Sequence, residues 1–132
     1  MKIQNPNLKI QNENEKFKME FNRRLIKFSL KTIKLCEEVR KNRNLWSIAD
    51  QLIRSATSIG ANVIEAKASS SKLDYLRSLQ IALKSANETK YWLILIRESV
   101  DSLKNQANQL LKEADEISKI IGAGVLTMKG KK

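Results

Sequence analysis

Between positions 7 and 121 the chain has no Pro and only one Gly, Gly60. Proline removes a backbone donor and clashes with the preceding turn, and glycine costs a helix about 1 kcal/mol. A stretch so nearly free of both favours long, uninterrupted helices. Sandwiches, barrels and doubly wound sheets need frequent turns and are disfavoured. The 132 residues fit one domain, and 42% apolar residues suffice for a buried core.

Apolar spacing predicts four helices. The first spans about Phe17 to Lys41, with Phe17, Phe21, Leu25, Phe28, Thr32, Leu35 and Val39 on one face. The second runs from Leu45 or Ser47 to Lys67, its core face formed by Ile48, Leu52, Ala56, Ile59 and Val63. Ser47 and Asp50 have capping-box spacing, as do Ser71 and Asp74 before the third helix, Lys72 to Glu98. Leu76, Leu79, Leu83, Ala86, Leu93 and Ile94 form the third core stripe. The fourth helix starts at Asp101 or Ser102, either able to cap it. It carries Leu103, Ala107, Leu110, Ala114, Ile117 and Ile121, and Gly122 and Gly124 should stop it. Short links make this an all-α, up-down-up-down antiparallel four-helix bundle over 15–122. Residues 1–14, where KIQN at 2–5 returns at 9–12, read as a flexible polar tail; 123–132 read as a loose basic tail.

Charge narrows the function. Lys and Arg number 25 against 14 Asp and Glu, a net charge of +11. Residues 1–45 carry 12 of the basic and 5 of the acidic groups. Such a surplus suits a polyanion such as RNA or DNA, or serves solubility alone. Arg23, Arg24, Lys27, Lys31 and Lys34 form a basic strip on the first helix and are the candidate phosphate contacts.

Two further stripes stand out. Met19, Ile26, Leu30 and Ile33 make a second apolar face on the first helix. Trp46, Ile53 and Ile64, with Ile81, Trp92 and Ile96, lie off the main stripes of the next two helices. One helix of an isolated bundle buries one face, so these point to self-association. The second helix also carries short polar residues: Gln51, Arg54, Ser55, Ser58, Asn62 and Glu65, facing Ser78, Ser85 and Glu88. Antiparallel pairing would set Arg54 near Glu88 and Glu65 near Arg77. A buried network fixing register is the favoured reading; a ligand or catalytic site built on Arg54, Asn62, Glu65 and Glu88 is the alternative.

Several chemistries have no support. The chain has no His and a single Cys36, so histidine bases, His-bound metals and internal disulfides are excluded. No phosphate loop, nucleophile elbow or metal cluster occurs, and no cofactor is implied. The longest apolar run, Trp92–Ile96, is too short to span a bilayer, and the N-terminus has no signal-like apolar stretch. A non-enzymatic protein of the cytoplasm is expected.

QLIRSATSIGANVIEA at 51–66 and SSSKLDYLRSLQIALKSANETKYWL at 69–93 resemble the four-helix bundle proteins also called the 23S rRNA intervening-sequence protein family. Many relatives have Glu-Gly where this chain has Glu65-Ala66. The resemblance implies a four-helix bundle, a homopentameric ring and a connection to RNA, with no catalysis. A similar basic pentamer is the accessory protein of diversity-generating retroelements. It suggests the alternative of a protein-interaction scaffold, such as a partner of a reverse transcriptase.

Overall fold

A computed structural model describes residues 6–130. It is all-helical over this range: α1 (Pro6–Val39), α2 (Trp46–Lys67), α3 (Lys72–Ser99) and α4 (Lys104–Gly130), with single 3-10 turns at Arg43–Leu45 and Asp101–Leu103. Consecutive helices pack side by side, and the bundle closes through a looser contact between α1 and α4. The four-helix expectation therefore holds.

Most predicted core positions are buried. Leu25, Phe28, Thr32, Leu35 and Val39 of α1 are inside, as are Leu52, Ala56, Ile59 and Val63 of α2. All six predicted seam residues around α4, from Leu103 to Ile121, are buried. The α2–α3 seam uses small residues: Ser55 and Ala56 on one side, Ala82, Ala86 and Thr89 on the other. A Cβ added at Gly60 would lie 3.5 Å from Leu25 Cβ, so this backbone approaches α1 closely.

Several expectations are corrected. Residues 6–14 are helical, not a loose tail, because α1 begins at Pro6. Extending a formed helix costs far less than starting one, and Pro suits the first helical position. Residues 7–20 are exposed along their length, so this first part of α1 is helical without joining the core. Phe17, predicted in the core, is accordingly 56% exposed. The first KIQN, at 2–5, and the last two lysines lie outside the described residues.

Gly122 and Gly124 do not stop α4, which continues to Gly130. Neither adopts positive φ. Val125 beyond them is buried, and that packing offsets the glycine propensity cost. The 123–130 segment is thus helix rather than loose tail.

Capping is mixed. Ser71 accepts a bond from the Asp74 N–H at 3.1 Å, as predicted. Ser47 does not cap α2: the 3-10 turn feeds directly into the helix, and Asp50 instead pairs with Arg40 at 2.6 Å. Asp101 and Ser102 lie within the second 3-10 turn and make no cap bond. On α3, Ile96 is buried and Ile94 is exposed, the reverse of the predicted stripe.

Polar groups tie α2 to α3. Thr89 Oγ1 bonds Ser55 Oγ at 2.9 Å and the Ser85 carbonyl at 2.7 Å. Ser85 Oγ bonds Ser58 Oγ at 3.0 Å, and Asn62 Nδ2 donates to the Ser58 carbonyl at 2.8 Å and its Oγ at 3.0 Å. Removing one member strands its buried partner. Ser55→Ala and Thr89→Ala should each lower stability by about 1–3 kcal/mol. The double variant should lose less than the sum, since both act on one bond. Urea denaturation of the four species checks this; strict additivity would mean the hydroxyls are not coupled.

Candidate nucleic-acid interface

The loose α1–α4 contact leaves a groove of about 890 Å³. Arg23, Arg24, Lys27, Lys31 and Lys34 all line it, so the structure brings the predicted basic strip into one place. Lys112 adds a cation from α4, and Gln106 and Gln109 add amides. Buried Phe28, Leu35 and Leu110 form the floor. Those α4 residues were missed from sequence. Their signal was the polar spacing Gln106, Gln109, Glu113 and Glu116 on the helix that must close the bundle against the first.

Arg24 differs from its neighbours. Its Nε and Nη2 each bond a Glu113 carboxylate oxygen at 2.7 Å, and Nη2 also reaches Glu116 at 3.1 Å. This two-pronged pair bridges α1 and α4. Its geometry is the strong form of an ion pair. Arg24 is therefore a groove-bracing residue whose charge is already matched, and is withdrawn from the phosphate contacts. Hydrogen bonding to Arg24 holds the Glu113 carboxyl below its ordinary value, against burial, with Lys31 helping by its charge. Among the described residues, Arg23, Lys27, Lys31 and Lys34 have no ion pair.

The other predicted sites divide. Ser58, Asn62 and Ser85 join the α2–α3 network, with Ser55 and the unpredicted Thr89. Arg54, Glu65 and Glu88 are exposed and outside it, and Gln51 makes no hydrogen bond in it. Glu88 accepts from the Trp92 indole at 3.2 Å rather than from Arg54, and Arg77 sits 4.0 Å from Asp74 rather than pairing with Glu65. Long side chains at the rim of a small-residue seam turn outward. The residues of the alternative catalytic constellation are thus not gathered.

Met19, Ile26, Leu30 and Ile33 are 57%, 52%, 56% and 37% exposed. Cys36 is fully buried, and burial pushes its thiol up to about 11, which suits a packed side chain and not a nucleophile. Among the described residues no metal-binding group of His, Cys, Asp or Glu occurs, and no helix is long and apolar enough to cross a membrane.

The model of the 23S rRNA-intervening sequence protein family matches residues 18–123. The chain belongs to that family. A solved structure with 31% identity supports the fold: a protein of unknown function from the S23 ribosomal protein family of Bacteroides thetaiotaomicron. It aligns with a TM-score of 0.73 over 79% of this chain and 96% of its own. No curated protein matches. The matched range takes in parts of all four helices.

The Arg24–Glu113 pair makes a pH prediction. A carboxyl held low in the folded state stabilises above its unfolded value, ordinarily 4.5, and loses that contribution as pH falls through the folded value. Both side chains are about one-third exposed, so the pair is worth about 1 kcal/mol. Glu113→Gln should destabilise the protein by that much at pH 7 and by almost nothing at pH 2. Equal losses at both pH values would assign the effect to packing.

Proposed function

We propose that this member of the intervening-sequence protein family is a non-enzymatic, self-associating bundle that binds RNA or DNA by its phosphates. The supporting observation is the α1–α4 groove, where, among the described residues, Arg23, Lys27, Lys31, Lys34 and Lys112 form no ion pair. The groove's one aromatic, Phe28, is 2% exposed and offers no face for base stacking. Binding without stacking or base-edge contacts is weakly sequence-specific and strongly salt-dependent. Self-association through Met19, Ile26, Leu30 and Ile33 would repeat the groove around an assembly, a pentameric ring in the form the family resemblance implies. Such a protein works in the cytoplasm, beside its nucleic acid.

Filter-binding titrations with a structured RNA at several salt concentrations test the reading. Each phosphate contact contributes roughly −0.7 to −0.9 to the slope of log affinity on log salt. Arg23→Glu, Lys27→Glu and Lys31→Glu together should weaken binding at least tenfold and flatten that slope. Glu113→Gln, which removes one negative charge from the groove and leaves Arg24 only Glu116 as an ion-pair partner, should tighten it. If the wild type retains neither RNA nor DNA at low salt, the protein-scaffold reading takes its place.

Assembly is tested separately. Leu30→Glu with Ile33→Glu should give smaller, still helical particles in light scattering, because unpartnered charges would be buried at a cost of several kcal/mol. An unchanged particle mass would remove this face as the contact.

A further inference from the structure

The four helices meet around a second opening, of about 240 Å³, away from the groove. Phe21, Val63, Leu79 and Ile121 line it, one from each helix. The last three are buried and Phe21 packs against the core. Two ammonium groups share this lining, Lys18 of α1 and Lys67 of α2. Among the described residues, no carboxylate lies within ion-pair distance of either.

Both side chains are exposed, and two like charges beside an apolar wall repel one another. The Lys67 pKa is pushed down, first by burial and then by the Lys18 charge. An anion between the two ammonium groups relieves both penalties. An apolar body attached to that anion would cover the wall beneath and gain hydrophobic burial. We infer that this opening is a binding site for an amphipathic monoanion, its carboxylate between Lys18 and Lys67 and its hydrocarbon against Phe21, Val63, Leu79 and Ile121. A dry cavity of about 150 Å³ takes one benzene, so this opening of about 240 Å³ has room for a body of at most about nine carbons, and an eight-carbon chain fits. The site is distinct from the groove in residues and in chemistry: the groove matches repeated charge on a polymer, this one matches a single charge with an apolar tail.

Gly124 lines the same opening and supplies a clean probe. A Cβ there would lie 3.7 Å from Leu79 Cδ1, an ordinary contact, so an alanine is admitted without strain and a longer side chain extends into the opening. Calorimetric titration of the full chain with octanoate, 1-octanol and octylamine tests the site. Octanoate should bind saturably, one per chain, with octanol at least tenfold weaker and octylamine silent. Lys18→Met with Lys67→Met should weaken octanoate at least tenfold and leave octanol unchanged. Gly124→Leu should abolish binding of both while circular dichroism stays helical. Should that variant not fold, Gly124→Ala carries the test, with several-fold weaker octanoate binding in a protein at least as stable. No saturable octanoate binding overturns the site. So does equal binding by the lysine variant, or undiminished binding by the folded Gly124 variants.

Discussion

The Arg24 guanidinium spans the opening between α1 and α4, and the rest of the site depends on that reach. The α2–α3 seam closes tightly because Ala, Ser and Thr let the backbones approach. The α1–α4 contact is looser, and its width is set in part by an arginine held two-pronged on Glu113 and further bonded to Glu116. Arg24 takes up most of the charge of two carboxylates there, and Lys31 adds a longer-range attraction to Glu113. Among the described residues, the cations farther round α1 form no ion pair of their own. A groove braced by a matched pair and lined with unmatched charge is therefore a single design.

Legibility in the sequence followed physical scale. Helix number, order and core faces were readable because periodic apolar residues, a scarcity of breakers and short links all point one way. Ser71–Asp74 was readable because a cap is a local contact. Gly122 and Gly124 misled for the opposite reason. Local propensity argued for a stop, and burial of Val125 one turn on carried the helix through. The α3 stripe misled because its seam is made of Ala82, Ala86 and Thr89, which contribute little to an apolar pattern. Against so faint a stripe, Ile94 and Ile96 could not be assigned to inside and outside.

The candidate site was legible as a strip and not as a groove. Five basic residues at helical spacing can be seen in one helix. Their facing wall, from Gln106 to Glu116, comes from a helix more than 70 positions away. The special place of Arg24 nonetheless follows from helical geometry. At 100° per residue it falls between the core face and the other four cations, about 60° from the centre of the core stripe. A long side chain at that angle meets the neighbouring helix before it meets solvent.

The same geometry relates the two proposed contacts of α1. Its core stripe, its free cations and Met19, Ile26, Leu30 and Ile33 divide the helix circumference into three sectors, with the last stripe about 85° from the cations. A neighbour seated on the apolar stripe would therefore leave the groove open rather than fill it. Self-association would also bring like-charged chains together, and a net charge of +11 per chain opposes that. Burial of four large apolar side chains favours it, and phosphate in the grooves would cancel part of the repulsion. Assembly and polyanion binding on such a chain are then coupled in sign: each makes the other more favourable, and raising the salt weakens the binding while easing the repulsion between chains.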